Sequence, residues 1–322
     1  MKRIALTMIA LALAALAGCS RDDSAGPAAG RPRIALIYKA TTNPFFQAME
    51  AGARAKAKEL GVDLDVAGIE SETDVDRQAD LVRNMLSRRA QAVIIAPASS
   101  VGIVTPLLRA QQQGVPIINI DNRIDKDEAA RLGLRVATFI GPDNFQGAKS
   151  VGDYACRLAR ERPDGGRGGV LILRGIDGVE NAEARRAGFE AAVKEAGLAL
   201  AGSQSANWHT EEAQTVTAAL LAANPQASVI LCANDKMALG AVAAVKARGR
   251  LGQVVIAGYD NIDLAREAMS RGEMHATCEQ NPARMGALGV QCALAALRGE
   301  TLPEVSPVPT QLITPDDVKT SK

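Results

Sequence analysis

Six short stretches hold most of the side chains able to do chemistry: Lys39 with Asn43-Pro44-Phe45-Phe46, Asp121-Asn122-Arg123, Asn207-Trp208-His209, Asn234-Asp235, Tyr259-Asp260-Asn261 and Glu279-Gln280-Asn281. They share a composition of Asn, Asp, Gln and aromatic rings. Carboxylates and amides hydrogen-bond adjacent hydroxyls, while ring faces cover apolar C–H surface. That combination suits a neutral polyhydroxyl ligand. Each residue also has a plainer reading. Phe45 and Phe46 open a helix and fit a core, Asp121, Asp260 and Asn234 fit helix caps, and Asp235 fits a cap or a surface charge. Arg185 reads as a structural hydrogen-bonder. His209 and His275 have no partner at ligand spacing and read as solvated.

Other chemistries lack their motifs. The two His residues and five Cys residues show no zinc-ligand spacing. Walker spacing, a GxGxxG entering a helix, GxSxG and HExxH are all absent. With 37 Lys and Arg against 36 Asp and Glu, there is no charge excess for nucleic-acid binding. No cofactor is implied, and the chain is expected to be a binding protein rather than an enzyme.

The elements that must carry these stretches alternate. Short apolar runs at 33–38, 62–66, 92–96 and 117–120 are separated by helical patterns, several of which stop at a glycine (Gly61, Gly114, Gly197). After Arg123 the chain reads as polar and irregular to Leu132, then a second strand–helix series runs from 136 to 298. Alternation of this kind predicts βαβ units and parallel, doubly wound sheets, and two series of this length predict two α/β lobes. In such sheets ligands bind beyond the carboxyl ends of the strands, where the six stretches fall.

The first 18 residues read as an export signal: basic Lys2 and Arg3, then an apolar run too short to span a bilayer comfortably. It ends in Leu16-Ala17-Gly18-Cys19, which resembles a lipoprotein lipobox and implies lipid on Cys19, with residues 19–32 as a tether. Cys156, Cys232, Cys278 and Cys292 read as buried thiols, with a Cys232–Cys278 bridge as the alternative.

From about residue 33 to 315 the chain resembles the periplasmic ribose-type sugar-binding proteins, whose fold LacI-type repressors share. The matching segments are Thr42-Asn43-Pro44-Phe45-Phe46, Val115-Pro116-Ile117-Ile118 with Asp121, Arg185-Arg186-Ala187-Gly188-Phe189, Ala233 to Gly240 and Gly258-Tyr259-Asp260. The resemblance implies a type I binding protein with an N-lobe of 33–141 plus 281–308 and a C-lobe of 142–280 plus 309–322. It implies that Asn43, Phe45, Phe46, Asp121 and Asn122 meet the ligand from the first lobe, and Trp208, Asn234, Tyr259, Asp260 and Gln280 from the second. Family arginines are replaced at Asn122 and Glu183, and Lys39 stands where a small hydroxyl residue is usual. Lys39, Arg123 and Glu183 are therefore further candidates, with Lys39 and Glu183 expected to face each other across the cleft. The implied function is delivery of a monosaccharide or polyol to an ABC-type permease by a monomer held at the bilayer through Cys19. The alternative is a sensing lipoprotein that signals to a chemoreceptor or sensor kinase.

Overall fold

In a computed structural model, which describes residues 30–320, the main compact body begins at Pro32. The signal, Cys19 and most of the tether lie outside the described residues. The chain opens with β1 (Arg33–Tyr38), α1 (Pro44–Leu60), β2 (Asp63–Gly68), α2 (Val75–Ser87), β3 (Ala92–Ile95), α3 (Val104–Gln112), β4 (Ile117–Ile120), α4 (Lys126–Leu132) and β5 (Thr138–Gly141). It continues through α5 (Asn144–Arg160), β6 (Val170–Arg174), α6 (Glu180–Glu195), β7 (Leu200–Ser205), α7 (Thr210–Ala223), β8 (Val229–Cys232), α8 (Asp235–Ala247), β9 (Val255–Ala257), α9 (Asp263–Ser270) and β10 (Thr277–Glu279). It closes with α10 (Pro282–Leu297), β11 (Val305–Pro307), β12 (Gln311–Ile313) and α11 (Pro315–Thr320).

Two parallel sheets result. The first has the order β11-β5-β4-β3-β1-β2 and the second β7-β6-β8-β9. β10 and β12 pair antiparallel beside the second sheet, to which a bridge between Ala257 and Ala276 joins them. The central strands β3, β4 and β8 are buried along their whole length, as a sheet covered on both faces requires. The chain passes between the two sheets three times: after β5, after β10 and between β11 and β12.

Local chemistry sets the helix ends. Asn43 caps α1 by accepting from Phe45 N at 3.1 Å, and Pro44 starts the helix where a missing N–H costs nothing. Asn234 caps α8 through Met237 N at 2.9 Å, and Gly61 ends α1 in the left-handed conformation. α1 and α10 approach so closely that a Cβ on Gly52 would strike the Ala283 backbone, and one on Gly286 would strike Met49. Helix α10 thus belongs with the first sheet although it follows the second in sequence.

One expectation is corrected. The stretch after Arg123 is not irregular throughout, because Asp125 accepts from Glu128 N at 2.7 Å and nucleates α4. Strands β11 and β12 add to the sheets from segments with no apolar alternation. The four cysteines are free and buried, in agreement with the thiol reading, and the alternative Cys232–Cys278 bridge does not form.

Candidate functional site

Between the sheets lies a tight cavity of about 20 Å3, room for roughly one water molecule. From the first sheet it is bordered by Lys39, Asn43, Phe45, Phe46, Glu72 and Asp121. From the second come Asn181, Arg185, Trp208, Asn234, Asp260 and Gln280.

The backbone turns these side chains inward. Asp121 (φ 63°), Trp208 (φ 67°) and Asp260 (φ 127°) all depart from the usual negative φ. Positive φ costs an L-residue of order 1–3 kcal/mol and clusters at functional positions. Neighbouring bonds hold the turns: Asp121 N donates to Ile140 O at 3.0 Å and Asp260 N to Cys278 O at 2.9 Å. Phe46 is fixed by rings on two sides, stacked on Tyr38 with centroids 5.9 Å apart and edge-on to Phe45 at 5.0 Å.

Lys39 is 2% exposed and lies 3.1 Å from Glu72 and 3.7 Å from Asp121. Burial alone would drive its pKa down, but Glu72 and then Asp121 outweigh that and hold it above the ordinary value. Asp121 shifts the other way from a paired carboxylate. Its burial raises its pKa more than Lys39 lowers it, in keeping with the closer pairing of Lys39 to Glu72.

On the opposite wall Arg185 uses its whole guanidinium. Nε donates to Asn144 Oδ1 at 2.8 Å, Nη1 to Ala233 O at 2.9 Å and Nη2 to Gln280 Oε1 at 3.0 Å. Its Nη1 is 3.6 Å from Asp260 Oδ1, and Cζ sits 4.0 Å over the Tyr259 ring centroid. Burial pushes the Asp260 pKa well above its usual value, and Arg185 offsets this only in part. Arg185 is therefore a structural hydrogen-bonder and also part of the cavity wall.

Four sequence candidates lie elsewhere. Tyr259 is fully buried beneath Arg185 and does not border the cavity. Asn122 is turned toward the seam between the sheets: its amide nitrogen donates to Pro97 O and Ser100 Oγ, and its oxygen accepts from Asn181 N. Arg123 stacks 3.8 Å over the Phe139 ring, away from the cavity. Glu183 does not meet Lys39. It accepts from Gly178 N at 3.0 Å and from Arg186, on the outer side of α6. Two plainer readings also change. Asp235 is no surface charge: it is fully buried, accepts from Thr277 Oγ1 and Ile262 N, and its pKa is pushed up to about 6 by burial. His275 is part of the second sheet's edge, where Nδ1 accepts from Ile256 N at 3.2 Å.

Glu72 and Asn181 were not foreseen. Glu72 lies among the acids of Glu70-Ser-Glu72, a pattern that reads as solvated loop, and only the fold brings it against Lys39. Asn181 sits one residue inside α6, where nothing in the sequence marks it.

A family model described as "Periplasmic binding protein domain" matches residues 34–301. The D-ribose/D-allose-binding protein of Pseudomonas aeruginosa is 38% identical over 88% of this chain and 89% of its own length. The D-allose-binding periplasmic protein of Escherichia coli is 36% identical over 89% and 91%. Among solved structures, an ABC-transporter solute-binding protein of Actinobacillus succinogenes with bound D-allose superposes with a TM-score of 0.83 at 35% identity, covering 90% of this chain and all of that one. The chain belongs to the periplasmic binding protein family.

Proposed function

We propose that this protein binds a neutral monosaccharide or polyol in the cavity between its two sheets and hands it, in the closed form, to an ABC-type import permease. The observation that carries the reading is the pairing state of the wall. Lys39 is neutralised by Glu72 and Asp121, and Arg185 lies beside Asp260, so neither cation seeks a charged ligand. Yet Asp121 Oδ2 and the Trp208 indole N–H are buried without a hydrogen bond. Leaving a buried donor such as the indole N–H unsatisfied costs roughly 1–3 kcal/mol, and sugar hydroxyls would serve both it and Asp121 Oδ2, whose nearest cation, Lys39 Nζ, is 3.7 Å away. Phe45, Phe46 and Trp208 supply the apolar surface that C–H faces need. The D-ribose, D-allose and myo-inositol named with similar proteins are all of this class.

In this reading Asn43, Phe45, Phe46, Asp121 and Lys39 contact the ligand from one lobe, and Trp208, Asn234, Asp260 and Gln280 from the other. The lobes are 33–141 plus 281–308 and 142–280 plus 309–322, closing about the three crossings. The protein works outside the cytoplasm as a monomer, anchored by lipid on Cys19. The anchor predicts that Cys19→Ala moves the protein from the membrane fraction to the soluble one. The ligand reading is tested by thermal shift and calorimetry with D-ribose, D-allose and myo-inositol. A raised melting temperature with at least one supports it, because a ligand that binds only the folded state raises apparent stability. No shift and no heat with any of the three would sink it.

A further inference from the structure

The first turn of α6 does two things at once. Its backbone reaches the other lobe: Glu180 N donates to Ser100 Oγ and Asn181 N to Asn122 Oδ1, each at 3.4 Å. The Asn181 side chain, 3% exposed, borders the cavity, and its Oδ1 is buried with no hydrogen-bond partner. We propose that Asn181 is a specificity-determining residue, whose amide oxygen accepts a hydrogen bond from one ligand hydroxyl in the closed arrangement that α6 docking creates.

The physical argument rests on what is already engaged and what is not. Asn122 is committed to the seam, holding Pro97 O, Ser100 Oγ and Asn181 N. That hydrogen bond fixes the α6 backbone against β4's outgoing loop. Asn181 is then carried to the cavity edge as a consequence of closure, with its acceptor unsatisfied. A buried acceptor gains little from a ligand that lacks the matching hydroxyl and is left desolvated by it. A site built to hydrogen-bond a hydroxyl therefore rejects the analogue without it more strongly than an apolar wall does. Because the side chain makes no protein hydrogen bond, its removal should leave the unliganded fold intact.

This inference rests on the ligand reading above, and the experiment separates the two. Calorimetry is run on wild type, Asn181→Ala and Asn181→Asp with D-ribose, D-allose and their monodeoxy analogues. The expected result is that Asn181→Ala weakens the bound sugar about tenfold at an unchanged melting temperature of the unliganded protein. One monodeoxy analogue should show the same loss in wild type and no further loss in Asn181→Ala. Asn181→Asp, which keeps the oxygen, should still discriminate against that analogue. A variant Asn181→Ala that binds the sugar as wild type does, or that discriminates among the deoxy analogues as wild type does, would overturn the assignment of Asn181 alone. A wild type that binds none of these sugars would overturn both readings.

Discussion

Gln280 Nε2 donates to Asp260 Oδ1 at 2.6 Å, while Gln280 Oε1 accepts from Arg185 at 3.0 Å. Gln280 follows β10, where the chain makes one of its three passages between the sheets, and it holds two side chains of the same cavity wall. Asp260 is thereby oriented by a residue at a crossing between the sheets.

Asp260→Ala is expected to abolish ligand-induced thermal stabilisation. It removes a buried acceptor and frees Gln280 and Arg185 from their common partner. Differential scanning fluorimetry with a saturating sugar checks this; a shift equal to that of wild type would show that Asp260 is not at the ligand.

Asp260→Asn tests the electrostatics. Burial holds the folded-state pKa of Asp260 above the unfolded value, so the folded state binds the proton more tightly. Its contribution to stability is therefore favourable at low pH and is lost as pH rises through the raised pKa. Asn keeps the acceptor for Gln280 without the charge. The unliganded variant should exceed wild type in urea midpoint near neutral pH, with the gap narrowing as pH falls toward the ordinary carboxylate range of about 3.9. A gap independent of pH would contradict it.

Arg185→Ala removes a buried cation that holds Asn144, Ala233 and Gln280 and faces Asp260. Breaking a buried pair by deleting one partner costs about 3–5 kcal/mol. Urea unfolding of the unliganded protein should show a loss of that size, because the network exists without ligand.

Gly52→Ala should destabilise the packing of α1 on α10. Its Cβ would meet the Ala283 backbone where α1 crosses α10, and overpacking of this kind costs about 1–3 kcal/mol, more where backbone must move. Thermal denaturation checks it. Sugar affinity should be little changed at temperatures where the variant is folded, since Gly52 does not border the cavity.

Native thiols should resist alkylation. Cys156 is pushed up to about 11 and Cys278 to about 12 by burial, so neither is a thiolate near neutral pH. Mass spectrometry after iodoacetamide should find Cys156, Cys232, Cys278 and Cys292 unmodified in the folded protein and modified after unfolding without reductant.

Much of this architecture was legible because the central β-runs, such as β3, β4 and β8, are short and apolar, and several helices carry a side-chain cap. Asn43-Pro44 and Asn234 announce helix starts in the residues themselves, and Gly61 announces a stop. Helix α4 was missed because Lys-Asp-Glu-Ala-Ala-Arg-Leu shows almost no apolar face, and its start depends on one side-chain bond from Asp125. β11 contains Pro307 and lies at a sheet edge, the one place where a proline is tolerated but also where pattern is weakest. At the site, strand-end position told which residues come near the cavity but not which way they point. Tyr259 and Asp260 are adjacent in sequence, yet one lies under Arg185 and the other borders the cavity. Glu72 and Asn181 depend on long-range packing, which no local spacing encodes.

The positive φ values at Asp121, Trp208 and Asp260 impose a limit on how this cavity can change. A residue there answers first to the backbone and only then to the ligand. β-branched side chains are penalised before any sugar is considered, while Asn and Gly are tolerated. Diversification toward a new ligand would proceed more readily through Asn43, Glu72 and Asn181, none of which has a positive φ. The three curled positions would persist as a frame around whatever is bound.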